Sequence, residues 1–243
     1  MEQMDIEAAI ERLREKTSQS TGNKRRPRPT EKIEFFKPIY DKPFVIRSNI
    51  NGTYAAAGIP KRYYGMSFEW FKEHGTFQSA NKEAYAIVKD YRDNLADYIN
   101  AGKGLILRGP AGTGKTSLAV CILKEVMKLN TGAMMISMPN LLDTMLTLSK
   151  GDRVAYLAYE QKLKHIPMLL LDDFGAEYSK SDWVAAKVES IIIERYNSMR
   201  PIILTTNYSD QWTKDNYSSR IYDRLRGEYK IAVFMGQSHR DKN

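Results

Sequence analysis

Hydrophobic and polar positions follow two periodicities from residue 104 onward, and each predicts one kind of element. Short, almost wholly apolar runs predict buried strands over residues 104–107, 133–137, 168–172, 202–205 and 230–234. Apolar residues spaced three and four apart predict helices over residues 117–129, 141–148, 152–165, 182–200 and 218–226. Strands that alternate with helices indicate an α/β fold, a five-stranded parallel sheet with helices on both faces and the ligand at the carboxyl ends of the strands.

The ends and buried faces of these helices can also be predicted. Asn140 and Asp152 are suitable N-caps for the helices that follow them, and Gly227 is suited to close the helix that begins near Ser218. A further helix is expected over residues 81–99, ahead of the first strand. The expected buried positions of the helices are Ala84, Ile87, Val88, Tyr91, Leu95, Leu118, Ile122, Val126, Leu129, Val184, Val188, Ile191 and Ile192.

The N-terminal part of the chain has a weaker pattern. Ile6, Ala9, Ile10 and Leu13 have helical spacing and predict a short amphipathic helix over residues 5–17, which must dock on its own domain or on another protein. Residues 17–29 are polar and end in a basic cluster, which is typical of a flexible linker. That cluster either contacts nucleic-acid phosphates or is simply solvated. We therefore expect an N-terminal arm over 1–57, in which 30–57 stays unassigned, and an ATPase-sized domain over 58–243.

Composition limits the classes of function. The chain has 243 residues, 42% of them hydrophobic, so it can bury one sizeable core. Its net charge of +8 and pI near 9.3 suit a polyanionic partner, nucleic acid rather than membrane, although a basic soluble protein has the same values. The single cysteine, Cys121, excludes an internal disulfide and is expected in the core. No transmembrane run or signal-like start is found, so a soluble, cytoplasmic protein is expected.

The most specific motif is a complete phosphate-binding loop, Gly-Pro-Ala-Gly-Thr-Gly-Lys-Thr, at residues 109–116. It has the required context, because a predicted strand precedes it and a predicted helix follows. Its glycines let backbone N–H groups converge on phosphate oxygens, while Lys115 would reach the β- and γ-phosphates and Thr116 the Mg²⁺. The predicted nucleotide-binding residues are Gly109, Pro110, Ala111, Gly112, Thr113, Gly114, Lys115, Thr116 and Ser117.

Two carboxylates end the third predicted strand, Leu-Leu-Leu-Asp-Asp at 169–173. Asp172 would hold Mg²⁺, and Asp173 would orient or activate the attacking water. Helix capping or a turn would also place acids at a strand end. Most ATPases of this architecture have Glu at the second position, so the shorter Asp173 predicts slow or partner-dependent hydrolysis.

Polar residues after the fourth strand complete the candidate site. Asn207 can report whether the γ-phosphate is present, or it can simply favour a turn. Arg220 and Arg224 lie one helical turn apart, as arginine fingers would, and are better placed for a neighbouring subunit's nucleotide than for their own. An exposed helix with a salt bridge to Asp223 is the alternative for these arginines.

These motifs, in this order, resemble the AAA+ helicase loaders of the DnaC/DnaI type. The resemblance rests on the phosphate loop, on Leu-Leu-Leu-Asp-Asp-Phe-Gly-Ala-Glu (169–177), on Leu-Thr-Thr-Asn (204–207) and on Ser-Arg-Ile-Tyr-Asp-Arg-Leu (219–225). It also takes in Gly-Ile-Pro-Lys-Arg-Tyr at 58–63, and it covers roughly residues 58–243.

The resemblance implies an ATPase that uses ATP and Mg²⁺, with Lys115 and Thr116 on phosphate and metal and with Asp172, Asp173 and Asn207 in the roles given above. It further implies Arg220 or Arg224 as finger, Arg240 as a second sensor, and Ile59 and Tyr63 as an adenine wall or as core. In such loaders an N-terminal arm grips a replicative helicase while ATPase domains assemble helically and hold single-stranded DNA. Residues 140–165, with Lys150, Arg153, Lys162 and Lys164, resemble a DNA-facing insertion, or form a solvated face.

Two departures from the family pattern limit this inference. The arm is short and has no cysteine, so it cannot carry the zinc site of some family members. Nine residues follow the fifth strand, so little or no helical lid is expected, which puts the sensing role of Arg240 in doubt. A transposition helper of the IstB type and, from another class, a small-molecule P-loop kinase are the alternatives. A GTPase is disfavoured because no Asn-Lys-x-Asp motif follows the third strand.

Overall fold

The computed structural model describes residues 50–73, 81–176 and 182–238. Its five strands form one parallel sheet in the order β2-β3-β4-β1-β5, which confirms the predicted fold. The strands are β1 (Leu105–Arg108), β2 (Ala133–Ser137), β3 (Met168–Asp172), β4 (Ile202–Thr206) and β5 (Lys230–Val233).

Ten α-helices and one 3₁₀ turn (Lys61–Tyr63) lie in the described part of the chain. The helices are α1 (Ile50–Ala56), α2 (Phe68–Glu73), α3 (Lys82–Asp93), α4 (Leu95–Asn100), α5 (Lys115–Lys128), α6 (Met138–Gly151), α7 (Arg153–His165), α8 (Asp182–Asn197), α9 (Asp210–Asn216) and α10 (Ser219–Glu228). Among the residues described, no helix has both the length and the apolar character needed to cross a membrane.

The sheet separates two apolar cores because successive strand residues point to opposite faces. Leu105 and Leu107 of β1 belong to the core that also contains α3 and α5, while Ile106 between them belongs to the core under α6, α8 and α10. Cys121 is buried in the first core, as expected. Helices therefore cover both faces of the sheet, and the ends of the strands are where a ligand could reach it.

The strand order decides where the site lies. Because β1 pairs with β4, and β4 with β3, these three strands end side by side. The phosphate loop, the acid pair and Asn207 follow these strands directly, so one edge of the sheet carries all three. This is the edge at which parallel α/β sheets bind ligands.

Several predicted helix boundaries are wrong. The helix expected over 81–99 is two helices, α3 and α4, which are interrupted at Asn94. Asn140 does not cap α6; the helix begins at Met138, and the Asn140 N–H instead donates to the side chain of the true N-cap, Ser137. Gly227 lies inside α10, which ends at Glu228 with Tyr229 as its C-cap. The sequence offers more than one suitable capping residue near these ends, so residue type alone does not fix the boundary.

Other predictions about helices have mixed outcomes. Asp152 caps α7 as expected, since its carboxylate accepts the Ala155 N–H at 2.8 Å. Leu129 was expected to be buried but is 49% exposed, because α5 ends one residue before it. Helix α9 was missed, since its seven residues have no apolar periodicity. The predicted helix over 5–17 and the linker after it lie outside the described residues.

A buried lysine ties the segment ahead of α2 to the helix that follows the phosphate loop. Lys124 of α5 is only 6% exposed, and its ammonium donates to the carbonyl oxygens of Tyr63 (2.6 Å), Tyr64 (2.9 Å) and Met66 (2.8 Å). Its Nζ also lies 4.9 Å from the ring centroid of Tyr54. The desolvation cost of the charge is offset because all three N–H groups are donated.

Candidate nucleotide-binding site

The phosphate loop connects β1 to α5 through glycines in left-handed conformation. Gly112 has φ +77°, and a Cβ atom there would lie 2.1 Å from the Ser238 hydroxyl oxygen. A side chain at Gly112 is thus excluded both by its backbone conformation and by the C-terminal segment that crosses it. The loop ends as α5 begins at Lys115, so the backbone N–H groups of the first helical turn face the space where a phosphate would bind.

Lys115 lies folded into the loop. Its ammonium donates to the carbonyl oxygens of Gly109 (2.8 Å) and Pro110 (2.7 Å) and to Oδ1 of Asn207 (2.8 Å). The side chain is 6% exposed. Phosphate binding therefore requires the ammonium to exchange at least one of these acceptors for a phosphate oxygen, because it has three protons to donate.

Asp172 ends β3 and is held by two hydroxyls. Its Oδ1 accepts the Thr116 hydroxyl at 2.8 Å and the Thr205 hydroxyl at 2.5 Å. Burial raises the pKa of Asp172 and the negative charge of Asp173 raises it further, whereas the two hydroxyls and Lys115 act in the opposite direction. The carboxylate thus carries a desolvation cost that a cation at this position would relieve.

Asp173 has a different environment from its neighbour. It is exposed, its φ is +54°, and its N–H donates to the Thr205 hydroxyl at 3.0 Å. The left-handed conformation directs this residue away from the strand, and short polar side chains such as Asp tolerate it. The two carboxylates are therefore separated into a buried group and a solvent-accessible one.

Asn207 follows β4, is exposed and borders an open cavity of about 640 Å³. Gly109, Pro110 and Tyr208 line the same cavity. Because Asn207 Oδ1 accepts a hydrogen bond from Lys115, a phosphate bound by that ammonium would lie close to the Asn207 amide.

The residues at the end of β3 fit a magnesium ion. The Thr116 hydroxyl and the Asp172 carboxylate lie in direct contact, and both are oxygen ligands of the kind Mg²⁺ prefers, with phosphate oxygens and water completing its shell. The metal, when bound, would neutralise charge on the phosphates.

The two candidate finger arginines differ in orientation. Arg220 is exposed on α10. Arg224 is half-buried: its guanidinium lies 5.1 Å from the Tyr196 ring centroid of α8, and its Nη1 donates to the Arg220 carbonyl at 3.1 Å. Arg224 thus packs within its own domain, whereas Arg220 can reach another molecule.

The segment after β5 is fixed beside the phosphate loop by a buried amide. Asn81, 4% exposed, accepts the Met235 N–H at 2.7 Å and donates to the Met235 carbonyl at 3.2 Å. This pair guides the chain towards Ser238 and its contact with Gly112. Arg240, the candidate second sensor, lies outside the described residues.

The remaining candidates separate into buried and exposed groups. Ile59 and Tyr63 are buried in the core, 3% and 8% exposed, in line with the core alternative. Lys150 and Arg153 are exposed near the junction of α6 and α7, and Lys162 is half-buried. Lys164 is paired with Glu160 at 2.9 Å. Two of the four basic residues are thus fully available to a polyanion.

Three residues of the site were missed by sequence reasoning: Thr205, Asn81 and Ser238. Thr205 was placed in the strand but given no role. Its position was a signal, because a hydroxyl at the end of an apolar strand is expected to be buried and hydrogen-bonded, and Thr205 is fully buried. Asn81 was visible only as the start of a helix. Ser238 had no signal, because its importance depends on a glycine more than a hundred residues away.

The comparisons with known proteins agree with this geometry. A family model described as IstB-like ATP binding protein matches residues 71–243. The replicative helicase loader DnaC of Escherichia coli strain K12 is 23% identical over 192 residues, which cover 78% of this chain and 75% of the relative. The replicative helicase loader DnaI of Bacillus subtilis strain 168 is 30% identical over 152 residues, covering 59% of this chain and 47% of the relative.

Insertion-sequence proteins are also similar. A putative ATP-binding protein of insertion sequence IS232 from Bacillus thuringiensis subsp. berliner is 27% identical over 154 residues, which cover 60% of this chain and 59% of the relative. Among solved structures, the crystal structure of the DnaC helicase loader superposes with a TM-score of 0.60 at 25% identity, covering 72% of this chain and 100% of that chain. The parallel sheet with its helices is thus the AAA+ P-loop ATPase fold.

Proposed function

The chain belongs to the family of IstB-like ATP-binding proteins, and from this premise we propose that it hydrolyses ATP in order to load a replicative DNA helicase onto single-stranded DNA. The observation that carries the proposal is the contact between Lys115 and Asn207, 92 residues apart, which joins the phosphate loop to a sensor position. The similarity to DnaC, which covers three quarters of that loader, supports the choice of process.

Each group at the sheet edge has one task in the proposed reaction. The loop N–H groups and Lys115 bind the phosphates, and Thr116 and Asp172 hold Mg²⁺. Asp173 accepts a hydrogen bond from the attacking water and directs it at the γ-phosphate, while Asn207 holds that phosphate or the water in line. Because Asp173 is one methylene shorter than Glu, the water lies farther from its base and turnover is slow until a partner closes the site.

The proposed active form is an assembly of several copies. Arg220 is exposed on α10, so we assign it to the nucleotide of a neighbouring copy. There its guanidinium neutralises charge that develops on the transferred phosphoryl group. ATP then holds adjacent copies together, and hydrolysis releases them.

The partners are proposed from sequence patterns. The apolar stripe of Ile6, Ala9, Ile10 and Leu13 is the candidate contact with the helicase. Lys150 and Arg153 are the candidate contacts with DNA phosphates, which predicts binding that does not depend on sequence and weakens with salt.

A pull-down of the replicative helicase from the source genome by the full chain tests this proposal. We expect Ile10→Asp combined with Leu13→Asp to abolish capture while ATP binding is retained, because charge on the stripe prevents docking. Ala8→Asp, on the opposite side of the same pattern, is the matched control and should capture the helicase normally. Equal capture by both variants would contradict the assigned role of the arm.

A transposition helper is the second candidate, and the IS232 relative favours it. That function requires duplex DNA binding and stimulation of a transposase, whereas a loader requires helicase capture and single-stranded DNA. Binding of ATP-loaded protein to matched single-stranded and duplex oligonucleotides separates the two candidates. Phosphoryl transfer to a metabolite instead of water would point to the third, a small-molecule kinase.

A further inference from the structure

Four aromatic rings form a continuous cluster between the acid pair and helix α10. Tyr208 stacks on Trp212 with ring centroids 4.1 Å apart, Trp212 meets the edge of Tyr217 at 6.1 Å, and Tyr217 stacks on Phe174 at 4.9 Å. We call these residues the aromatic cluster. No step proposed for the ATPase site uses them.

One end of the aromatic cluster is bonded to the site. Tyr208 directly follows Asn207, and its N–H donates to the Thr206 hydroxyl at 3.1 Å. That hydroxyl donates to the Phe174 carbonyl at 2.7 Å, so the segments after β3 and β4 are joined. A displacement of either segment therefore displaces a ring.

The other end of the cluster is the start of α10. Tyr217 is 7% exposed and precedes Ser218, the N-cap of α10, whose N–H donates to Glu189 Oε1 at 2.9 Å. Arg220 lies in the first turn of this helix. Tyr217 therefore joins the aromatic cluster to the start of the helix that carries Arg220.

The stack is tightly packed on one side and open on the other. A Cβ atom on Gly175, whose φ is +95°, would lie 2.5 Å from the Tyr208 ring and 2.8 Å from the Trp212 ring. On its other side Tyr208 is 37% exposed and borders the 640 Å³ cavity. The two rings cannot be compressed against Gly175, but they can move together towards the cavity.

Nucleotide binding supplies the reason for such a movement. The Lys115 ammonium donates to two loop carbonyls and to Asn207, so its exchange to a phosphate oxygen changes what holds the Asn207 amide. If Asn207 then turns to the γ-phosphate, the new contact acts on the segment that also carries Tyr208.

We infer that the aromatic cluster couples occupancy of the γ-phosphate position to the orientation of α10, so that a copy presents Arg220 to its neighbour only when its own site holds a triphosphate. Phe174, Tyr208, Trp212 and Tyr217 are positioning residues, since they act through Asn207 and Arg220 and do not touch the nucleotide. The inference rests on the proposed nucleotide binding. It adds that the nucleotide bound by one copy controls the arginine offered to the site of the next copy.

The emission of Trp212 in the full chain tests the first half of the coupling. Trp70→Phe and Trp183→Phe leave Trp212 as the sole tryptophan. A non-hydrolysable ATP analogue with Mg²⁺ should shift its emission, ADP with Mg²⁺ should not, and Asn207→Ala should abolish the shift while a fluorescent nucleotide still binds. Nucleotide binding with unchanged emission, or equal shifts with both nucleotides, would overturn the inference alone. No nucleotide binding at all would overturn the proposed function with it.

Tyr217 tests the second half. Tyr217→Leu removes the ring, and Tyr217→Phe retains both ring contacts as the matched control. We expect Tyr217→Leu to bind nucleotide within about twofold of the parent but to lower kcat about tenfold, since couplings of this kind reach one to two kcal/mol. The Phe variant should retain the parent kcat. Parent turnover in the Leu variant, or equal losses in both variants, would contradict a role for the ring in coupling.

Discussion

At the scale of single residues, one group that is expected to bind the ligand lowers the stability of the ligand-free protein. Asp172 is 7% exposed beside a second carboxylate, and burial raises its pKa. Two hydroxyls, from Thr116 and Thr205, satisfy one of its oxygens but do not neutralise the charge. A buried carboxylate without a cation is a cost that the nucleotide-free protein bears.

Asp172→Asn should therefore separate stability from function. The amide oxygen can still accept both hydroxyls, and the buried charge is gone, so we expect a Tm equal to the parent value or up to about 4 °C higher at pH 7. Mg²⁺-dependent nucleotide binding and hydrolysis should be lost. Thermal melts with and without Mg-ATP measure both.

The pH dependence of this effect has a definite sign. A carboxyl whose pKa is raised by folding stabilises the native state at low pH and loses that contribution as pH rises through the raised pKa. The advantage of Asp172→Asn should therefore be largest near pH 7 and shrink on acidification. Asp173→Asn, at the exposed neighbour, is the comparison: it removes a negative charge beside Asp172 but leaves the buried carboxylate in place, so it should raise Tm by less than Asp172→Asn does. It should bind Mg-ATP but hydrolyse it poorly. A lower Tm for Asp172→Asn at pH 7 would contradict this reasoning.

At the scale of elements, two long-range polar clamps position segments around the phosphate loop. Lys124 fixes the segment that ends at Met66 to helix α5, and Asn81 fixes the segment after β5 to the start of α3. In each case one side chain satisfies backbone groups that no strand or helix pairs. These clamps hold non-regular backbone rigidly beside a site that depends on it.

Lys124→Met should destabilise the domain by about 3 kcal/mol, because it removes three charge-assisted hydrogen bonds while the apolar stem is retained. The half-buried carbonyl oxygens of Tyr64 and Met66 lose this donor, whereas the Tyr63 carbonyl still accepts the Met66 N–H at 3.2 Å. A loss of this size corresponds to a fall in Tm of about 6–12 °C. Thermal and urea unfolding of the full chain measure it.

Lys128→Met is the matched control for this experiment. Lys128 lies one turn later on the same helix and makes only an exposed contact with Glu125, at 2.8 Å. We expect its Tm to change by less than about 2 °C, since surface pairs contribute little. Similar losses of stability in the two variants would mean that the three hydrogen bonds from Lys124 to carbonyl oxygens contribute no more than the exposed pair of Lys128.

At the scale of the whole molecule, the proposed assembly depends on the different environments of the two candidate finger arginines. Arg220 is exposed, whereas Arg224 is held over Tyr196. If Arg220 serves the nucleotide of a neighbouring copy, as we propose, hydrolysis should depend on assembly.

Complementation between two inactive variants tests a shared site. Arg220→Ala should bind ATP within about twofold of the parent but lose at least about 10²-fold in kcat, because an arginine finger contributes this much or more. Asp173→Asn should bind Mg-ATP but hydrolyse it poorly. In an equimolar mixture the intact site of the first variant can pair with the intact Arg220 of an ATP-bound copy of the second, so activity should return to a measurable fraction of the parent rate.

Two results would contradict the shared site. One is a mixture no more active than its parts although the mixed copies assemble, as measured by light scattering with an ATP analogue and single-stranded DNA. The other is parent activity in Arg220→Ala. Arg224→Lys is a useful comparison, since we expect it to affect Tm through Tyr196 and not the recovery of activity.

The sequence by itself determined whatever depends on neighbours in the chain. Strand, glycine loop and helix at 105–128 follow from local conformational preference and apolar periodicity, and so do the five strands. The acid pair and Asn207 could be located because each directly follows such a strand. The caps at Asn94, Ser137 and Tyr229 were harder to predict, because several residues near these helix ends suit a cap and residue type alone does not choose between them.

Only the tertiary structure decided which distant groups meet. The pairing of Asn81 with Met235, 154 residues away, and the contact of Ser238 with Gly112 leave no trace in local pattern. The separation of Arg220 from Arg224 depends on where α8 places Tyr196. The reason is physical: periodicity encodes which face of an element is buried, whereas a polar contact across the fold is fixed by strand order and by the direction in which each segment leaves the sheet.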